Sequence, residues 1–188
     1  MNYSKLAESL KQRIEMMSDA ERFRFFASWY GGLQYMGGHE NPIYGADCSG
    51  TVCGPLWMMG YNIRCTADDL YRKLFTEPVR DFESRSDIMA VFYLTSVAKE
   101  HFGRTVPPGY AVHVTPVIGR YVVQNAFDPI EPMTAAYVRG WYLERSHTVE
   151  WRGLNHAELV KHSEARDLVF GLDPILEAIR PGREVYGT

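Results

Sequence analysis

Several features that mark large protein classes are missing from this 188-residue chain. No stretch approaches the ~18 consecutive apolar residues of a membrane span. There is no excess of positive charge. Its 20 Lys and Arg against 23 Asp and Glu give a formal net charge of -3 and a pI near 6.1, so no basic field gathers nucleic acid or an anionic membrane. Neither partner is expected. The 3 cysteines, Cys48, Cys53 and Cys65, cannot all pair within the chain, and none stands in a Cys-x-x-Cys spacing, which argues against zinc or a redox dithiol and for a free thiol. The opening residues carry Lys5 and Glu8 and no apolar core, so no secretory signal is read there, and synthesis in a cytoplasm is expected. Internal repeats, low-complexity tracts and linker-like segments are absent as well. One domain over residues 1–188 is therefore expected, with helical extensions at 1–30 and 155–188. His39 with His101 or Glu40 does not form a metal-ligand spacing, and no metal or cofactor is expected.

What is present is a globular composition, 46% hydrophobic and 13% aromatic, arranged in two halves. Leu6, Leu10, Ile14 and Met17 recur at spacings of three and four, which predicts an amphipathic helix. Ser18-Asp19-Ala20-Glu21 reads as a capping box that opens a second helix containing Phe23, Phe26 and Trp29 and stopping at Gly31-Gly32. Thr66 can cap a short helix holding Leu70, Leu74 and Phe75 that ends before Pro78. Beyond Ser86 the pattern changes to short apolar runs of strand length at 88–94, 112–118 and 121–127. The segment 134–151, with Tyr137, Trp141, Tyr142 and Trp151, is read as one or two further strands whose aromatics pack the sheet. The connection 95–109 is read as a surface loop, with a lid as the alternative. Residues 155–168 are read as helical, and Asp173-Pro174 as the start of a last short helix. Helices first, a mostly antiparallel sheet next and a helical tail give an α+β class.

The segment with chemistry in it is Asp47-Cys48-Ser49-Gly50, which follows the glycine-rich approach 37–46 and opens the apolar run 51–60. A thiol near a helix start meets unpaired backbone N–H groups and the positive end of the dipole, which favour the thiolate. A cysteine nucleophile also needs a base, and that base needs a third group to hold its tautomer. Of the 6 histidines only His113 begins a strand. If the runs 112–118 and 121–127 form a hairpin, a polar amide arrives beside it. A two-residue turn at Gly119-Arg120 pairs His113 with Ala126 and puts Gln124 on its face, whereas a tighter register pairs His113 with Asn125. The residue pattern leaves both open. Each residue also has a plain structural role: Cys48, Cys53 and Cys65 as small core residues, Tyr35 packed under Gly37-Gly38, Asp47 as a helix cap, and Ser49 as a capping or solvent residue.

Gly32-Leu33-Gln34-Tyr35-Met36-Gly37-Gly38 followed by Gly45-Ala46-Asp47-Cys48-Ser49-Gly50, then Arg64-Cys65-Thr66, then His113-Val114 with Gly119 and Asn125, resembles the NlpC/P60 family of papain-like cysteine peptidases that cut cell-wall peptides. The resemblance spans residues 28–130. It implies a papain-like fold with the nucleophile helix packed on the sheet. It further implies a catalytic Cys48, His113 and Asn125, and substrate-shaping roles for Tyr35, Asp47 and Ser49, which in the family hold a free amino terminus. The implied activity is a thiol peptidase or amidase acting on a peptidoglycan stem peptide. With no export signal read, delivery to the wall by a phage or secretion assembly is expected. The alternatives are a papain-like amidase or acyltransferase with another substrate, and a catalytically silent assembly protein of a phage particle. The chain departs from the family at Thr115-Pro116, where proline removes a ladder N–H, so a bulge or a sheet edge is expected there.

Overall fold

The computed structural model describes residues 3–79, 87–124, 131–145 and 147–165. Helix α1 (Tyr3–Glu15) leads into α2 (Asp19–Trp29) through the capping box that the sequence announces. The Ser18 N–H donates to Glu21 Oε2 at 2.8 Å, and Ser18 Oγ accepts from the Glu21 N–H at 3.4 Å. Phe23, Phe26 and Ala27 are the buried face of α2. Helix α3 (Gly50–Met58) is apolar nearly all round and buried on every side but that of Trp57. Helix α4 (Ala67–Asp69), capped by Thr66, runs on as a π-helical turn through Leu70–Leu74.

Of the strands that follow, eight build the main sheet and a neighbouring hairpin: β1 (Glu77–Pro78), β2 (Met89–Thr95), β3 (Lys99–His101), β4 (Arg104–Val106), β5 (Ala111–Ile118), β6 (Tyr121–Gln124), β7 (Glu131–Thr134) and β8 (His147–Gly153). Six of them form one antiparallel sheet in the order β7-β6-β5-β2-β8-β1. Central strand β2 is buried at every position because both faces are covered. Ala90, Phe92 and Leu94 face the core shared with α1, α2 and α3. Met89, Val91 and Tyr93 face a second cluster that includes Val138 and Tyr142 of helix α5 (Ala135–Leu143). This alternation is the period-two geometry of a strand with a core on each side. The architecture is α+β, and no helix among the described residues is long and apolar enough to cross a membrane.

Four expectations change. The aromatic segment after Thr134 is helix α5 before it is strand β8. Tyr137, Val138, Trp141 and Tyr142 stand at spacings of one, three and four, and the Thr134 side chain caps the Tyr137 N–H, so helical periodicity wins over aromatic strand propensity. The connection 95–109 contains a β3–β4 hairpin rather than an irregular loop. Helix α6 (His156–His162) is shorter than expected, since Glu164–Ala165 pairs with Tyr61–Asn62. Strand β5 lies inside the sheet, and its register shift falls near Tyr93 and Leu94, away from Pro116. Pro116 pairs with Ala90 on one side, while the β5–β6 ladder covers only Ile118 with Tyr121 and Val117 with Val122. The missing proline N–H is thus placed where no β6 partner needs it. The helix expected at Asp173-Pro174 lies outside the described residues.

Candidate active site

A cleft of about 1050 Å³ runs between the segment preceding α3, the loop before α4 and the β3–β4 hairpin, and Cys48 lies on its wall. Glycine is required where the motif turns into α3. A Cβ at Gly50 would stand 2.0 Å from the His39 carbonyl oxygen, so the helix start can approach the 39–40 backbone only as glycine. The approach itself is tied by short ladders, Gln34–Tyr35 with Gly45–Ala46 in parallel and Glu40–Asn41 with Gly45–Ala46 antiparallel.

Asp47 is the centre of a dense polar brace. Its Oδ1 accepts from the Gly50 N–H at 2.6 Å and from Ser49 Oγ at 3.0 Å, and its Oδ2 accepts from the Gly38 N–H at 2.8 Å and from Arg64 Nη2 at 2.6 Å. Arg64 also donates from Nη1 to Ser49 Oγ at 2.7 Å, and its Nε lies 3.7 Å from Glu40 Oε2. Asp47 therefore caps α3 and pins the glycine-rich approach to it. Ser49, 5% exposed, is held inside this network. Sequence reasoning did not select Arg64 as a site residue, although it stood within a quoted motif. Its signal is the long reach of a guanidinium able to fork between a carboxylate and a hydroxyl.

Cys48 sits two residues ahead of the first residue of α3 and is half-buried. Its own N–H has no protein acceptor among the described residues. Burial and then the Asp47 charge push its thiol up to about 11, against the opposite pull of the Val114 and Ser49 N–H groups and Arg64. The expected thiolate is therefore not favoured in the resting protein. Burial is the larger cause, and a local one adds to it: Asp47, not the thiol, takes the Gly50 N–H at the helix start and places a negative charge beside the sulfur.

His113 is 8% exposed, on β5 opposite Tyr93 of β2. Its Nε2 lies 3.2 Å from Gln124 Oε1. With a carbonyl oxygen as partner, Nε2 carries the proton and Nδ1 is the basic nitrogen. The two-residue Gly119-Arg120 turn, with Ile118 opposite Tyr121, puts Gln124 on the face of His113, one of the two registers left open by the residue pattern. Asn125 lies outside the described residues. The ring is packed by aromatics that the sequence did not point to, Tyr142 at 5.4 Å and 16° and Tyr93 at 5.3 Å and 39°. Burial lowers the His113 imidazole to about 4, with Gln124 pulling the other way.

The structure brings Cys48 to the backbone of Val114, next to His113, and beside Tyr142, whose phenol is raised above all by burial, with the neighbouring thiol adding to it. Thiol and imidazole are not hydrogen-bonded to each other, and His113 itself does not line the cleft. Tyr35, 39% exposed, stands on the rim, with burial and the neighbouring Cys48 and Asp47 raising its phenol. Cys53 is buried in α3 with its Sγ 3.9 Å from the Cys65 carbonyl oxygen. Among the described residues no group of three His, Cys, Asp or Glu side chains is placed to hold a metal ion. Comparison with known proteins adds nothing to this picture: no family model, no curated protein and no solved structure matches the chain.

Proposed function

We propose that this protein is a papain-like thiol hydrolase of the NlpC/P60 type that cleaves an amide in a peptidoglycan stem peptide, delivered to the wall by a phage or secretion assembly. Cys48 is the nucleophile, His113 the base, and an amide of the following strand segment, Gln124 or Asn125, the group that orients the ring. The observation that carries the reading is the bond from His113 Nε2 to Gln124 Oε1, which leaves Nδ1 basic on the strand whose next residue, Val114, approaches the Cys48 thiol.

With the thiol raised and the imidazole lowered, the resting pair is neutral on both sides, so the chemistry is general-base catalysis rather than attack by a preformed ion pair. As Cys48 Sγ bonds to the substrate carbonyl carbon, its proton passes to His113 Nδ1. The free Cys48 N–H donates to the developing oxyanion. The imidazolium then protonates the leaving amine, the C–N bond breaks, and a thioester remains on Cys48. Water attacks the thioester as His113 takes one of its protons, and the thiol returns with release of the acid. Thiol and imidazole are not hydrogen-bonded in the substrate-free protein, and hydrogen bonds of this kind often tighten only in the complex.

One observation favours the second reading, the same chemistry on a substrate without a free amino terminus. All four Asp47 contacts are to donors of the protein itself, so this carboxylate is not open to an ammonium group. Incubation with purified peptidoglycan, read by mass spectrometry for new amino groups, tests the proposal. Wild type releases them and Cys48→Ala does not. Equal silence of both proteins on walls rejects the wall substrate.

A further inference from the structure

Two thiols that the proposed chemistry does not use meet inside the fold. Cys53 is fully buried on α3, and Cys65 follows Arg64 on the wall of the cleft, partly buried. They stand 12 residues apart in the chain, a separation that carries no dithiol signal in the sequence, and the fold supplies the proximity instead. The Cys53 thiol points at the Cys65 carbonyl oxygen at 3.9 Å, and the two side chains are hydrogen-bonded to each other. That bond lowers Cys53 against the opposing effect of burial, while the same bond and burial raise Cys65. A single negative charge is thus favoured on Cys53, with the Cys65 proton lying between the sulfurs.

Both thiols hang from anchored backbone. Helix α3 is buried on nearly every side, and the Cys65 carbonyl also accepts at 3.1 Å from Nη1 of Arg64, the residue that braces Asp47 and Ser49. Thr66, next in the chain, caps α4. Two sulfurs held in contact by fixed segments are placed for a disulfide, whose formation depends on such approach. The neighbours that act on Cys48 are instead Asp47, Val114, Ser49 and Arg64. Of the pair only Cys65 borders the cleft, so a small oxidant meets that sulfur first.

We propose that Cys53 and Cys65 form a reversible disulfide site, closed by a peroxide that enters through the cleft and opened by a small thiol. The Cys65 sulfur attacks one peroxide oxygen, the O–O bond breaks, and hydroxide leaves as the Cys65 proton passes to Cys53. Cys65 is then a sulfenic acid. The Cys53 sulfur attacks it, the S–S bond forms, and the sulfenic oxygen departs as water with the Cys53 proton. Two thiols have lost two electrons and two protons, and one peroxide has become two waters. The link ties α3 to the segment that carries Arg64, so the Asp47 brace is closed covalently in an oxidising compartment and by hydrogen bonds alone in a reducing one. The inference holds whether or not Cys48 is the nucleophile.

The test treats the reduced, folded protein with stoichiometric hydrogen peroxide, quenches in acid, unfolds it, alkylates with N-ethylmaleimide and maps the products by tandem mass spectrometry. Cys65 is expected joined to Cys53, and dithiothreitol should restore maleimide on both. In urea the linked protein should show an unfolding equilibrium constant about 100-fold smaller than the reduced one, as closing a loop of this length implies. Cys48→Ala should form the link like wild type, and in Cys65→Ser Cys53 should stay fully alkylated. Cys65 joined to Cys48, Cys65 driven to sulfinic acid while Cys53 remains a thiol, both thiols untouched in excess peroxide, or a linked protein less stable than the reduced one would each overturn the proposal.

Discussion

The balance of charge on two side chains decides how this site can work. A Cys48 thiol near 11 and a His113 imidazole near 4 cannot form an ion pair in neutral solution. Alkylation of Cys48 by iodoacetamide should therefore keep climbing through pH 8 to 10, with no plateau near pH 6 to 7 of the kind a thiolate–imidazolium pair produces. A rate already flat at pH 7 would show that the pair is charged at rest. The Gln124 bond makes a second claim at this scale. Gln124→Leu leaves the His113 Nε2–H without its acceptor, and kcat on the wall substrate should fall about 10- to 100-fold, the size of a general-base contribution. Gln124→Glu restores an acceptor and adds a charge, so it should recover part of kcat and move the acid limb of the pH profile to higher pH. A purely structural Gln124 would leave that limb where it is.

Among the elements, α3 and the segment before it set the geometry. Gly50→Ala drives a Cβ toward the His39 carbonyl oxygen and should cost about 2 kcal/mol or more in urea unfolding. Ser18→Ala removes one cap far from the cleft and should cost about 1 kcal/mol while leaving Cys48 alkylation unchanged. These elements were readable in the sequence because their signals are local: a capping box at Ser18 and Glu21, a Thr66 cap, and apolar runs that became β2 and β5. Helix α5 was not, because Tyr137, Trp141 and Tyr142 satisfy an aromatic strand as readily as a helical stripe until the Thr134 cap is weighed. The site divides along the same line. Cys48, Asp47 and His113 were legible from a contiguous motif and a strand-borne histidine. Arg64 and Tyr142 were not, because each acts through a tertiary contact, with Asp47 in one case and the His113 ring in the other. Gln124 was one of two amides that the residue pattern left open; the Gly119-Arg120 turn puts it on the face of His113, while Asn125 lies outside the described residues.

Across the whole molecule, burying a neutral histidine between two aromatic rings ties stability to pH. The folded His113 is lowered to about 4, below the ordinary 6.5 of the unfolded chain, so between these values the unfolded state binds more protons. Stability should fall as pH drops from about 6.5 to about 4, by up to about 3 kcal/mol from this group alone. Urea unfolding at pH 7 and at pH 4.5 checks this, and in His113→Gln that part of the acid loss should disappear. The sheet that buries His113 on one face packs α3 on the other, so the Cys48 thiol and the His113 ring lie against different layers of the fold. This layering accounts for the absence of a hydrogen bond between them. The most direct test is to quench the protein in acid shortly after mixing with solubilised stem-peptide fragments and to map the adduct by mass spectrometry. The account predicts an acyl group in thioester linkage on the Cys48 peptide, absent from Cys48→Ala and strongly reduced in His113→Ala. Release of amino groups with no adduct on Cys48, or with the adduct on Cys53 or Cys65, would contradict it.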